Sequence, residues 1–216
     1  MGQTITVTGM ILAAYPYNDY DKRLIVLTKE RGKITIFAKG ARRQNSSLLA
    51  VCNSFVFGEF FVYEGRSSFN LMQAKAINYF SELSTDVEGA CYGFYFCEVA
   101  EYYTREANDE ILMLKLLYQS LRALLHTHIP RELVRYIYEL KTLVINGECP
   151  VEFEELEIGP SARYALNFIV SSPPEKLYTF TVSEEVLKEL RFVLHRWREL
   201  YMEGKFKSLE ILEEMS

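Results

Sequence analysis

The hydrophobic period of this chain changes close to residue 84, and that change limits the fold more than any other feature of the sequence. Before it, β-branched and aromatic residues form runs of about five to ten residues separated by turn residues, the pattern of strands. Five runs can be counted, at 4–15, 23–28, 33–39, 55–63 and 69–79. Gly32 precedes the third, and Glu64-Gly65-Arg66-Ser67 reads as a hairpin turn between the last two. Five strands in about 80 residues predict a small closed barrel, and the five-stranded barrel that commonly binds nucleic acid is the OB-fold.

After the change, apolar residues recur every three or four positions. Residues 86–103 are apolar on most sides, with Ala90, Cys91, Phe94, Phe96, Cys97 and Val99, which predicts a helix buried within a bundle. Residues 109–125 place Ile111, Leu114, Leu117, Leu121 and Leu124 on one stripe, and Leu133, Ile137, Leu140 and Val144 mark a third helix that ends near Gly147. The stretch 148–182 is expected to be an irregular connection, acidic at its start, interrupted by a helix at 161–170 and a Ser171-Ser172-Pro173-Pro174 loop. Ser183 should cap a long helix that turns Val186, Leu190, Val193, Trp197 and Leu200 inward. The expected architecture is α+β and multidomain, an OB-fold barrel at 1–80 followed by an α-helical domain at 81–216.

Composition narrows the setting. Of the 216 residues, 49% are hydrophobic and 25% charged, as in globular chains. No apolar run approaches the roughly 18 residues of a membrane span, and residues 1–14 lack the basic, apolar and small-residue regions of an export signal. A cytoplasmic location is expected. Cys52, Cys91, Cys97 and Cys149 have no paired spacing and sit among apolar residues, which suits reduced thiols.

Charge is distributed unevenly. Residues 1–80 carry ten Lys or Arg against five Asp or Glu, net +5, whereas 81–216 carry fourteen against twenty-four, net −10. Between positions 22 and 43, Lys22, Arg23, Lys29, Arg31, Lys33, Lys39, Arg42 and Arg43 face Glu30 alone. Such density predicts a surface that holds a polyanion. In the third run, Ile34, Ile36 and Ala38 fall on one face and Lys33, Thr35, Phe37 and Lys39 on the other. Two ammonium groups beside a ring can track a phosphate backbone while offering a base a stacking partner. Phe37 has two readings of equal weight, a stacking platform for a base or a ring packed under the helical domain. The loop Lys39-Gly40-Ala41-Arg42-Arg43-Gln44-Asn45-Ser46-Ser47 is rich in donors for phosphate and is expected to be mobile without ligand. Phe55, Phe57, Phe61 and Tyr63 share a stripe with Glu59, whose charge would repel phosphate, so they are assigned to the barrel core or a domain junction.

Signatures of enzymes are sparse. There is no glycine-rich loop ending in Lys-Ser or Lys-Thr to cradle ATP. His126 and His128 flank Thr127 with no third metal ligand evident, His195 stands apart, and Cys91 and Cys97 diverge on a helix. Asp19, Asp21 and Glu30 offer carboxylates for a magnesium-dependent nuclease, although balancing the neighbouring lysines accounts for them more simply. No catalytic residue and no cofactor is expected.

Several stretches resemble the bacterial RecO recombination-mediator family. They are Asp21-Lys22-Arg23-Leu24-Ile25-Val26-Leu27-Thr28, Lys29-Glu30-Arg31-Gly32-Lys33, Lys39-Gly40-Ala41-Arg42-Arg43, Asn146-Gly147-Glu148-Cys149-Pro150 and Lys207-Ser208-Leu209, in family order over some 190 residues. The resemblance implies an N-terminal DNA-binding OB-fold, a helical bundle, ATP-independent strand annealing, and partnership with RecR and with the acidic C-terminal tail of single-stranded-DNA-binding protein. Many relatives carry a four-cysteine zinc module after the glycine-to-proline stretch. Only Cys149 stands there, so zinc is expected to be absent. DNA is assigned to Lys33, Lys39, Arg42 and Arg43, with Arg23, Lys29 and Arg31 adding field, and both single and double strands are expected to bind. For the acidic tail, Arg131 and Arg135 beside Leu133, Val134 and Ile137 are a candidate rim, unless they pair with Glu132 or Glu139 on their own helix. The rival function is an OB-fold protein-interaction adaptor that touches DNA incidentally.

Overall fold

The computed structural model describes residues 2–66, 68–149 and 156–215. Ser67 of the hairpin turn, Pro150, and Glu152, Glu154 and Glu155 of the acidic stretch lie outside them.

Five strands, β1 (Gln3–Tyr17), β2 (Asp21–Thr28), β3 (Gly32–Ala38), β4 (Phe57–Glu64) and β5 (Phe69–Asn78), close into a barrel in the order β1-β2-β3-β5-β4. The N-terminal half of β1 pairs with β4 and its C-terminal half with β2, so one long strand serves both sides of the barrel. Closure comes from a short parallel pairing, Ile36 opposite Phe69 and Phe37 opposite Asn70. This is the OB-fold. Alternation turns Val7, Leu24, Val26, Ile34, Ile36, Phe60 and Val62 into the core. A bulge between Ile11 and Ala13 shifts the register of β1, and Phe55 and Val56 bond to Ile11 at that point.

The stripe expected on β4 divides differently. Phe55 precedes the strand in a left-handed conformation, φ 72°, and is buried, whereas Phe61 and Tyr63 stand on the outer face at 42% exposure. The inward parity belongs to Phe60 and Val62, so the assignment of Phe61 and Tyr63 to the core is corrected.

The chain forms two compact units, residues 1–86 with 97–114, and residues 87–96 with 115–216. Helix α1 (Val87–Tyr103) contributes to both. In the first unit the β2–β3 turn is sewn to the segment after α1: Lys33 N–H donates to the Arg105 carbonyl at 2.9 Å and Ala107 N–H to the Arg31 carbonyl at 3.0 Å. Gly32, at φ +64°, sits under that segment, and a Cβ there would lie 2.3 Å from the Arg105 carbonyl oxygen. Within the turn the buried Thr28 hydroxyl donates to the Gly32 carbonyl and accepts from Arg31 N–H.

The rest of the helical part comprises α2 (Ile111–Leu124), α3 (Arg131–Ile145), α4 (Pro160–Ser171), α5 (Glu184–Tyr201) and α6 (Lys207–Met215). Helix α3 is buried on nearly all sides, and Tyr138 stacks on Phe96 at 4.3 Å while its hydroxyl donates to the Phe96 carbonyl. Ser183 caps α5 by accepting from Val186 N–H. Leu190, Val193 and Trp197 face inward, but Leu200 is 59% exposed, beyond the stripe expected for it. Within the stretch 148–182, the described residues form α4 and a short 3-10 turn at Pro174–Lys176. No helix among the described residues is long and apolar enough to cross a membrane.

Candidate nucleic-acid interface

Three strands present one cross-strand row on their outer face. Tyr15 of β1 is opposite Arg23 of β2, and Arg23 is opposite Phe37 of β3. The Arg23 guanidinium lies 5.2 Å from the Tyr15 ring centroid, and the Phe37 ring lies 5.0 Å from that of Tyr17. Tyr15, Tyr17 and Tyr20 are exposed, whereas Phe37 is half-buried. The β1 bulge is what turns Tyr15 and Tyr17 outward, since it inserts one residue into the alternation. Phe37 therefore packs against an exposed tyrosine of its own barrel.

The basic loop leaves β3 at this end of the sheet. Gly40 takes φ +66°, and its N–H donates to Asp21 Oδ1 at 2.8 Å. Arg42 N–H donates to the Tyr20 carbonyl at 2.9 Å, and its guanidinium reaches the Asn18 and Asp19 carbonyls. Arg43 lies over the Tyr20 ring at 5.5 Å. Beyond it, successive main-chain bonds run from Ser46, Leu49 and Cys52 to Arg43, Ser46 and Leu48, and Ala41, Val51 and Cys52 are buried in the barrel core. Lys22 closes the arrangement, its ammonium donating to the Cys52 carbonyl and Asn53 Oδ1 at 2.8 Å each. The loop expected to be mobile is thus tied to the β1–β2 turn, β2 and the core. Of its exposed cations, Lys39, Arg42 and Arg43, the two arginines contact Tyr20, Arg42 through its main chain and Arg43 over the ring.

The remaining cations of the sequence cluster lie elsewhere. At a rise of about 3.3 Å per residue, the six steps from Lys33 to Lys39 separate them by about 20 Å. Lys33, expected on an open DNA face, is engaged within its own unit: its ammonium donates to the Glu101 carbonyl in the last turn of α1, where carbonyls have no helical partner. Burial of the side chain pushes its pKa down, against the opposing pull of Glu101. Arg31 pairs with Glu64 at 3.0 Å. Lys29 is exposed at the same far end of β2. Proximity in sequence therefore joins two groups of cations that the strands hold apart, and it passes over Tyr15, Tyr17 and Tyr20. Their signal is present as three aromatics at alternate or near-alternate positions running into the first turn.

Asp21 also bears on the nuclease alternative. Both its oxygens are engaged, by Gly40 N–H and by the Asn18 amide at 3.3 Å, and these bonds hold its carboxyl below the usual value. Glu30 accepts from Thr8 N–H at 2.8 Å. The two carboxylates serve as turn anchors, and among the described residues no group of three or more His, Cys, Asp or Glu is arranged to hold a metal ion.

Comparison with known proteins agrees with this architecture. A model described as recombination protein O N terminal matches residues 1–80, and one described as recombination protein O C terminal matches residues 84–159. The chain belongs to the RecO family. Relatives named DNA repair protein RecO include one from Clostridium perfringens, 27% identical over 95% of this chain and 96% of its own length. Another, from Acetivibrio thermocellus, is 25% identical over 97% and 96%, and one from Alkaliphilus metalliredigens is 32% identical over 68% of this chain and 59% of its own.

Within this RecO-family chain, the arginines considered for an acidic partner tail are already engaged. Arg131 pairs with Glu88 of α1 at 2.6 Å. Arg135 is buried, donates to Glu139 at 2.8 Å and lies 5.7 Å from the Tyr95 ring centroid, while Tyr95 donates to the same Glu139 oxygen. Burial is the largest influence on Arg135 and opposes its charge, but Glu139, Tyr95 and Tyr136 together outweigh it and push the guanidinium pKa up. Glu132 is taken by Arg191 instead. Arg131 and Arg135, expected as a partner rim, are thus held in ion pairs of the second unit, the first near its surface and the second buried.

Proposed function

We propose that this chain is a non-enzymatic, ATP-independent recombination mediator whose barrel binds single- and double-stranded DNA, promotes annealing of complementary single strands and helps load recombinase together with RecR. The observation that carries the reading is the Tyr15–Arg23–Phe37 row, continued by Tyr17 and by Arg43 over Tyr20. Cations along such a row neutralise phosphates, and rings accept any base, because every base has a π-face. Two strands carrying less net charge repel one another less, and an open face leaves pairing edges accessible to the second strand. Annealing then needs no nucleotide hydrolysis.

RecR and the acidic tail of single-stranded-DNA-binding protein are the partners that the family implies, and DNA binding would keep the protein with the nucleoid in the cytoplasm. A second reading, an OB-fold adaptor, draws support from Phe61 and Tyr63, exposed on β4 beside the charge-balanced Glu59–Lys75 pair. One experiment separates them. Purified protein is titrated with fluorescent oligonucleotide, and complementary strands are mixed with it in the absence of ATP. A mediator binds in a salt-dependent way and accelerates annealing; a chain that does neither at low salt is not acting as one.

A further inference from the structure

Removing a carboxylate from a phosphate-binding surface ordinarily strengthens binding, because it removes a repulsion. Asp21 stands among the cations of the DNA face, with Lys39 and Arg43 near enough to act on its carboxyl. On charge alone it is a defect of the surface. Its geometry gives it another role.

Asp21 is the first residue of β2 and pairs with Tyr17, so it closes the turn that carries Asn18, Asp19 and Tyr20. One oxygen takes the Gly40 N–H, where the chain leaves β3 with a left-handed residue, and the other takes the Asn18 amide. The same turn offers its Tyr20 carbonyl to Arg42 N–H and its Tyr20 ring to the Arg43 guanidinium. Asp21 thus joins the turn that bears the aromatic group to the loop that bears the cations. We infer that Asp21 is a positioning residue for the DNA face: it holds the Lys39–Arg43 loop against the β1–β2 turn, so that cations and rings meet the same stretch of nucleic acid. The inference rests on the DNA-binding reading above.

Three substitutions test it, because charge and geometry predict different outcomes for Ala and Glu. Asp21→Asn removes the charge and keeps an oxygen to accept from Gly40. Asp21→Ala removes both, and Asp21→Glu keeps the charge but misplaces the acceptor by one methylene. Positioning predicts that Asn binds single-stranded oligonucleotide as well as wild type or better, while Ala and Glu weaken it about tenfold, the order of one charge-assisted hydrogen bond. The slope of log affinity against log salt should also become shallower for Ala and Glu, since misplaced cations neutralise fewer phosphates. Melting curves identify any variant that fails to fold, and the Asn and Glu pair decides the matter if Ala does not fold. Ala and Asn binding equally tightly, both above wild type, would overturn the inference and make Asp21 a simple competitor of phosphate. Wild-type protein that binds no oligonucleotide would instead remove the underlying function.

Discussion

Lys33 and Lys39 bound the same short strand and carry the same charge, yet their surroundings give them different work. Lys33 satisfies a carbonyl at the end of α1, and Lys39 stays in solvent at the start of the basic loop. Replacing Lys33 with Ala should therefore leave oligonucleotide affinity within about twofold while lowering the melting temperature, because a helix-end carbonyl is left without its partner. Thermal denaturation beside a binding titration checks both halves, and a large loss of affinity would return Lys33 to the interface. The rings make the converse case. Tyr17→Ala and Phe37→Ala should each weaken single-strand binding by about 1–3 kcal/mol, the size of one base stack, with the salt slope unchanged because no charge is removed. Sequence alternation is enough to place Ile34 and Ile36 in the core and Phe37 outside it. It does not show that Lys33 meets a carbonyl from a segment some 70 residues later, since that bond belongs to tertiary structure.

Elements explain which of the sequence signals are readable. The order and type of the five strands follow from period-two runs and turn residues, α1 follows from a run that is apolar on most sides, and α2 and α3 follow from their stripes. Tyr15 and Tyr17 escape because a bulge, which no simple alternation anticipates, resets the parity of β1 between Ile11 and Ala13. Gly32 is explained at this scale too. Gly32→Ala combines a left-handed backbone with a Cβ 2.3 Å from the Arg105 carbonyl oxygen, so it should destabilise the first unit by more than about 2 kcal/mol. Chemical denaturation would show this as a lower midpoint, and an unchanged midpoint would mean that the 105–107 segment yields easily. In α3 the contrast lies between two arginines one turn apart. Arg135→Ala leaves the 2%-exposed Glu139 without its ion partner and should cost about 3–5 kcal/mol. Arg131, paired near the surface, should cost about 1 kcal/mol or less when replaced by Ala. Equal effects would mean that the Arg135–Glu139 pair is better solvated than its burial indicates.

For the molecule as a whole, a net charge of −5 conceals a basic barrel and an acidic remainder, so bulk charge is a poor guide to the partner. In the proposed function the groups that count are Lys39, Arg42, Arg43 and Arg23 together with Tyr15, Tyr17 and Tyr20, the cations and rings that hold a single strand. This face of the barrel, in the proposed function, carries the nucleic acid. The most direct test of that is the salt dependence of single-stranded oligonucleotide affinity for wild type and for the combined Lys39→Glu, Arg42→Glu, Arg43→Glu variant, with melting temperature as a control. The variant should melt like wild type and bind far more weakly, its slope of log affinity against log salt shallower by about 0.7 for each phosphate no longer neutralised, or about 2 for three. A folded variant with wild-type affinity and an unchanged slope would contradict the account and move the DNA to another surface.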